Sequence, residues 1–295
     1  MVARGLVFLL CLGSSTAFVV PFGGRMHSLN TRQALGPTIY SVSRVSMMAG
    51  NIAVFGGNGL TGSEVVYQAL QRGDKVTAFC RDPSKLKVPV GSGGAKAGTP
   101  FTNKNLKTVK GTVTDLDDVR KAFADDITGV VVALGGKTKD VGKTMLTDGT
   151  KNIITAMKEK GVKKVAVVTS IGAGDSENQA PFFFKVLMYT AMKSIFEDKN
   201  QQEKLFFSGP GKDLDFTIVR PGGLTVEPPT GVINVIKGEA SFDAGSISRA
   251  DVADFILGAV SEEGFPYLKQ APCISSVGGT SWVKDRSGAA RGEMA

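Results

Sequence analysis

The chain has 295 residues, 42% of them hydrophobic and 21% charged, with a net charge of +8. That length holds one large domain or two small ones, and the apolar fraction supports a buried core but is too low for a multi-span membrane protein. The positive charge forms no block of like charges, which argues against nucleic acid as a partner.

The N-terminal segment has a composition of its own. The first acidic residue is Glu64, and residues 1–50 carry Arg4, Arg25, Arg32 and Arg44 but no lysine. The start "MVARGLVFLLCLGSSTAF" has a basic tip, a short apolar core from Leu6 to Leu12 and small residues behind it. Residues 1–18 therefore read as a signal peptide, with an apolar run too short to span a bilayer. Residues 19–48, rich in Ser and Arg and free of acids, read as a transit-like segment. The tandem resembles the bipartite presequences that lead into complex plastids, with Phe18 of "SSTAFVVP" at the expected place. It implies the plastid stroma; a secretory signal followed by a pro-region is the alternative. Loss of the segment leaves 31 basic against 27 acidic residues, a net charge of +4. It also removes Cys11 and the sole histidine, His27. Cys80 and Cys273 alone make no disulfide framework or zinc motif, and without histidine no Ser-His-Asp, Cys-His or His-ligated metal chemistry is expected.

From Asn51 onward, short Val/Ile/Phe runs predict strands at 52–55, 76–79, 106–109, 130–134, 165–169 and 216–219. Helical periodicity predicts helices over 63–71, 118–124, 145–160, 182–207 and 249–260, with Asp115 placed to cap the second. Runs such as "GVVVALGG" are apolar throughout, as in strands covered on both faces. The alternation predicts an α/β, Rossmann-like, doubly wound parallel sheet with helices on both faces, one domain over residues 49–280. The insert "GSGGAKAGTP" (91–100) reads as a flexible surface loop, and residues 281–295 as a polar tail.

Behind the first of these strands stands "GGNGLTG", with Gly56, Gly57, Gly59 and Gly62. It fits both GxGxxG and GxxGxxG, between a predicted strand and a predicted helix, as the dinucleotide fingerprint requires. One glycine makes the turn, one admits a pyrophosphate and one lets the helix close on the strand. Gly56, Gly57, Asn58, Gly59, Leu60, Thr61 and Gly62 are thus candidate cofactor contacts. Neither GKT tripeptide, at Gly136 and Gly142, has the upstream glycine of a Walker A loop. The second strand ends in "FCRDPSKL", where an NAD-preferring fold offers an acid. Arg81, with Ser84 and Lys85, suits a phosphate instead, so NADP(H) is the expected cofactor. Asp82 reads as the start of the turn before Pro83.

Together with "GTKNIITAMKEKGVKKVAVVTS", "FTIVRPGGLT" and "ISRADVADFIL", these motifs resemble the atypical short-chain dehydrogenase/reductases of the NmrA-like and biliverdin/flavin-reductase-like branch. The resemblance runs from about Asn51 to Val260. It implies that Ala133, Leu134 and Gly135 line the nicotinamide ribose, that Thr169 and Ser170 end a strand beside the nicotinamide, and that Arg220, Pro221, Gly222, Gly223 and Leu224 pass its carboxamide. Where the family shows Gly-Asp near adenine, this chain has Gly111-Thr112, which leaves Thr112 and an apolar wall at Val113. Many relatives use a Ser-Tyr-Lys set in a YxxxK arrangement. "YTAMK" gives Tyr189 and Lys193 on one helix face, with Ser170 as the third member and Lys193 lowering the phenol pKa. Tyr189 could also be plain packing in "FFFKVLMYTAMKSIF", and a competing register puts the lysine at Lys199, four before Glu203. Hydride transfer with little side-chain help also fits the branch.

The apolar "APFFFKVLMY" suggests a hydrophobic wall for a small apolar or aromatic substrate, while residues 180–195 could instead dock a membrane or a protein complex. Lys137 and Lys139 could attract an anionic substrate. The functional expectation is a plastid NADPH-dependent oxidoreductase that passes hydride to a small carbonyl, flavin, quinone or conjugated acceptor. A non-catalytic NADP(H)-binding scaffold or redox sensor of a plastid complex is the alternative, and a nucleotide-sugar epimerase or dehydratase a third.

Overall fold

The apolar runs become the parallel strands of one sheet in a computed structural model, which describes residues 38–41, 50–123, 126–135, 142–236 and 245–276. The signal segment, Lys137, Lys139 and the polar tail lie outside the described residues. The strands are β1 (Thr38–Ser41), β2 (Asn51–Phe55), β3 (Lys75–Cys80), β4 (Leu106–Lys110), β5 (Gly129–Val132), β6 (Lys164–Val168), β7 (Asp215–Pro221), β8 (Gly223–Thr225), β9 (Val232–Ile236), β10 (Ser246–Ser248) and β11 (Cys273–Ser276). The helices are α1 (Leu60–Arg72), α2 (Val90–Gly93), α3 (Leu116–Lys121), α4 (Met145–Lys160), α5 (Phe182–Tyr189), α6 (Lys193–Phe207) and α7 (Arg249–Ser261). Nine strands follow the order β1-β9-β11-β7-β6-β5-β2-β3-β4, and β8 pairs with β10 apart from them. From β4 to β7 and on to β11 every pairing is parallel; β9 and β1 add an antiparallel edge.

Alternate residues of the strands enter two different cores, as period-2 geometry demands. Ile52, Val54, Val76, Ala78, Val131, Ala166 and Val219 face α1 and α7. Ala53, Phe55, Phe79, Val130, Val132, Val165 and Ile218 face α3, α4 and α6. Both faces are covered, which is why these runs lack polar alternation. Each fully buried Val or Ile contributes about 1.5–3 kcal/mol relative to exposure.

Four departures from the expected elements have physical causes. Strand β1 lies inside the stretch read as transit-like and pairs Thr38 with Val235 through Ser41 with Val232. The insert at 91–100 is anchored rather than loose. Gly91 and Gly93 are buried, the Ser92 N–H donates to both carboxylate oxygens of Glu64 at 3.2 Å, and Gln68 Nε2 donates to Ser92 Oγ at 3.0 Å. The helix expected over 182–207 breaks after Tyr189 into α5 and α6. The break lets the Phe184 and Phe196 rings meet edge-on at 5.7 Å. In a straight helix, twelve residues would hold them ~18 Å apart. Strands β8, β10 and β11 carry short mixed sequences that local pattern does not mark, whereas β9, with the sequence VINVI, has a strand-like composition and is added to the expected set.

Candidate functional site

The chain leaves β2 toward β3 on one side of the sheet and returns to β5 on the other, so the carboxyl ends of β2 and β5 flank the point where winding reverses. In open α/β sheets, ligands bind at that crevice. The glycine turn lies there. The Gly56 and Gly57 N–H groups both donate to the Phe79 carbonyl, at 3.1 and 3.2 Å, and the Gly59 N–H closes on the Gly56 carbonyl at 2.9 Å. Gly56 has φ +87°, and a Cβ on it would collide with the Ala133 carbonyl. A Cβ on Gly62 would collide with the Gly56 carbonyl, so glycine there lets α1 rest on the turn. The N-cap of α1 is Gly59, which has no side chain to cap with, and the first turn holds no acid. The amides that open α1, from Leu60, Thr61 and Gly62, thus present the positive end of the helix dipole with no acid in the first turn. Such a bare cradle fits a phosphoryl anion.

A second anion-compatible group borders the turn. Asn58 Nδ2 donates to the Asp82 carbonyl at 3.2 Å and ties the turn to the loop after β3. There Arg81, Ser84 and Lys85 are exposed. Asp82 Oδ1 accepts from the Ser84 N–H at 3.1 Å and from Ser84 Oγ–H at 2.6 Å, and its Oδ2 lies 3.5 Å from Lys85 Nζ. The Ser84 hydrogen bonds and the Lys85 charge hold the Asp82 carboxyl below its ordinary value. Asp82 is thus engaged in starting the turn Pro83–Lys85, as its place before Pro83 suggested.

At the end of β4, the Thr112 N–H donates to Asp118 Oδ2 at 3.0 Å. Val113 is buried, and its side chain closes with that of Leu134 over Gly149. The Ala133 N–H continues the β2 ladder to the Phe55 carbonyl at 2.9 Å, and Gly135 is exposed beyond it.

The far end of the crevice holds a buried polar network. Thr169 Oγ1–H donates to Glu203 Oε1 at 2.7 Å, and Lys199 Nζ donates to the Thr169 carbonyl at 3.0 Å. Arg220 grips the buried Glu203 through two nitrogens, at 3.1 and 2.6 Å, and reaches the exposed Asp175 at the rim of the network through Nη1 at 2.6 Å. Burial alone would lower the Arg220 pKa, but Glu203 and then Asp175 outweigh it and raise it. Burial alone would lift the Asp175 carboxyl, and Arg220 instead holds it low. Cys273 nearby is a buried thiol pushed up to about 11, mainly by desolvation, and is accordingly inert. Ser170 Oγ–H donates to the Ile171 carbonyl at 3.0 Å. Pro221 and Gly222 are buried, their backbones tied to Ile171 and Ile274, while Gly223 and Leu224 pair with β10.

Tyr189 and Lys193, expected on one helix face as partners of Ser170, do not share a helix. Tyr189 ends α5, Lys193 opens α6, and the shared face disappears with the break. Tyr189 is 59% exposed. Its hydrogen bond with Glu177 raises the phenol pKa, opposite to the activation expected from a lysine. Lys193 lies 3.9 Å from Glu197 instead. The competing register is the one that reaches the strand end, through Lys199. Arg220 does not line a ligand path as the resemblance implied, because it turns inward to Glu203. The signal for it was available: an arginine inside the apolar run "FTIVRP" needs a buried acid as partner. Asp198, which accepts from the Leu146 N–H at 2.8 Å and the Thr147 N–H at 2.9 Å and so caps α4 from α6, left no local trace.

Comparison with known proteins bears on the family and the fold. A family model described as NAD(P)H-binding matches residues 56–263. The chain is 33% identical over 222 residues, 72% of each chain, to an uncharacterized chloroplastic protein of Arabidopsis thaliana. Among solved structures it resembles the oxidoreductase ylbE from Lactococcus lactis, with TM-score 0.59, 20% identity and coverage of 77% of this chain and 91% of that one. It also resembles ChuY, an anaerobillin reductase from Escherichia coli O157:H7, with TM-score 0.57, 23% identity and coverage of 77% and 97%. These two likenesses establish the Rossmann-like fold.

Proposed function

The chain belongs to the NAD(P)H-binding family, and on that premise we propose that it is a plastid NADPH-dependent oxidoreductase. The observation that carries this reading is the bare cradle of Gly56, Gly59 and Gly62, joined through Asn58 to the loop of Arg81. The fingerprint amides would hold the pyrophosphate. Arg81, with Ser84 and Lys85, would receive the ribose phosphate that separates NADP(H) from NAD(H). Val113 would wall the adenine side, and Ala133, Leu134, Gly135, Thr169 and Gly222 to Leu224 the nicotinamide side. The plastid assignment is supported by the chloroplastic relative and by the acid-free N-terminal segment.

Bound there, the dinucleotide supplies a hydride, which is the two-electron part of a reduction. The chain's own residues orient the acceptor and provide the proton. Ser170, at the end of β6, would hydrogen-bond an acceptor oxygen. Lys199, whose ammonium reaches the adjoining Thr169 carbonyl, would pass the proton to that oxygen, so that a carbonyl and a hydride end as an alcohol. Arg220 and Glu203 would fix Thr169 and hence the strand end. The acceptor class is a small carbonyl, flavin, quinone or conjugated molecule.

The test is a paired titration of the full chain with NADPH and NADH, followed by turnover with quinones, flavins and aldehydes at the nicotinamide absorbance. NADPH is expected to bind at least tenfold more tightly than NADH, and Arg81→Ala to remove that margin while leaving NADH affinity unchanged. Equal affinities in the wild type would overturn the phosphate assignment. The separation of Tyr189 from Lys193 favours a second reading, an NADP(H)-binding scaffold or redox sensor without catalysis. Tight NADPH binding with no turnover of any acceptor would select it.

A further inference from the structure

α5 turns only part of its surface inward. Phe184 and Met188, one turn apart, are buried with Phe196, Ile171, Ala173 and Cys273. The remaining face is apolar and open: Phe182 is 80% exposed and Phe183 78%, with Val186 and Leu187 exposed beside them. Phenylalanines at such exposure are costly to leave in water, and a contiguous set of them marks a docking face. The flanking charge has one sign. From Asn178 to Phe196 the chain carries Lys185 and Lys193 and no acid. Glu177, bonded to Tyr189, marks the edge of the face, and Glu197 beside Lys193 its far limit.

We infer that this face is an interfacial anchor that seats on an anionic lipid bilayer. Phe182, Phe183, Val186 and Leu187 enter the boundary between headgroups and acyl chains, and Lys185 and Lys193 meet the lipid phosphates. Size argues for lipid over protein. Phe182 and Phe183, about four-fifths exposed, offer roughly 300 Å² between them, and Val186 and Leu187 extend that patch only modestly. A stable protein interface needs about 800 Å² from each partner. A bilayer makes no such demand, because an amphipathic helix lying ~5–10 Å deep binds through a few apolar side chains plus attraction to anionic lipid. No helix among the described residues is long and apolar enough to cross a membrane, so the contact is peripheral. The anchor lies on the segment that leads from Ser170 to Lys199. On the reading given above, docking therefore brings the acceptor end of the crevice to the lipid surface, where a lipid-soluble acceptor is available.

Vesicle flotation tests this without any cofactor, so its failure is distinct from failure of NADPH binding. The full chain is mixed with phosphatidylcholine vesicles containing about one third phosphatidylglycerol, and with vesicles of phosphatidylcholine alone. Wild-type protein is expected to float with the anionic vesicles. The double variant Phe182→Ser, Phe183→Ser is expected to lose at least tenfold in partitioning while its melting temperature is unchanged. Lys185→Gln and Lys193→Gln are each expected to lose about fivefold on anionic vesicles and little on neutral ones. Absence of wild-type binding overturns the inference. So does equal binding of wild type and double phenylalanine variant, which would trace to the N-terminal arginines. A dimer seen in sedimentation, dissolved by the phenylalanine substitutions with no vesicle binding, would assign the face to a second copy of the chain.

Discussion

At the scale of single residues, the two lysines of the helical segment separate the catalytic readings. Lys199 donates to the Thr169 carbonyl at 3.0 Å, whereas Lys193 stands on the surface beside Glu197. A proton donor must reach the reacting atom, and its removal costs about 10²–10⁴ in rate. Lys199→Ala is therefore expected to lower kcat by about that range with the best acceptor of the panel, and Tyr189→Phe to leave kcat within about twofold. A bare structural role for Lys199 would lower stability but leave the alkaline limb of the pH–rate profile in place, so both are measured together. Loss of activity in Tyr189→Phe, at unchanged stability, would restore the tyrosine mechanism. The glycines were legible in sequence because much of their job is local: Gly56 takes a positive φ in the turn, and a Cβ on Gly62 would meet the Gly56 carbonyl. Lys199 and Glu203, four apart on α6, were legible as a pair, but their meeting with Thr169 and with Arg220 of β7 was not, because it comes only through tertiary packing.

At the scale of elements, periodicity reports which face is apolar but not whether the axis is straight. The pattern from Phe182 to Phe207 runs unbroken through Thr190, yet α5 folds back so that Phe184 meets Phe196. The start of α4 shows the same limit. Its N-cap, Thr144, makes no capping bond through its side chain, and the carboxylate that serves instead is Asp198 of α6. Asp198 Oδ1 also accepts from Thr147 Oγ1–H at 2.5 Å. A lost N-cap costs ~0.5–2 kcal/mol, and this one is nearly buried, so Asp198→Ala is expected to cost about 2 kcal/mol. Chemical denaturation measures it. A double-mutant cycle with Thr147→Ala is expected to give clear coupling, and additive effects would mean that Asp198 acts on α6 alone.

At the scale of the whole molecule, two covered sheet faces made the fold readable, since continuous Val and Ile runs in βαβ alternation permit few architectures. Its limits were less readable, as β1 shows by joining the edge of the sheet from within the transit-like segment. The same dense interior sets a pH response. Burial lifts the carboxyls of Glu64, Asp74 and Asp254 above their ordinary values, despite hydrogen bonds to Glu64 from Ser92 and the charge of Arg72 near the other two. A carboxyl raised on folding binds more protons in the folded state, so stability rises as pH falls through the folded value and levels off below the unfolded one, 4.5 for Glu and 3.8 for Asp. Asp82, Asp118, Glu159 and Asp175 work in the other direction, being held low by their hydrogen-bond and ion-pair partners. Their stabilisation is present above the unfolded values and is lost only as pH falls below them. The chain's one histidine is His27, so no histidine of the sheet domain titrates between these windows. The melting temperature is therefore expected to rise as pH drops from neutral toward the unfolded carboxyl values, and to fall again below them. Glu64→Gln should flatten the rise and leave the acid fall intact. A melting temperature that declines steadily from pH 7.5 to 5, in wild type and Glu64→Gln alike, would mean that the buried carboxyls are better solvated than their burial implies.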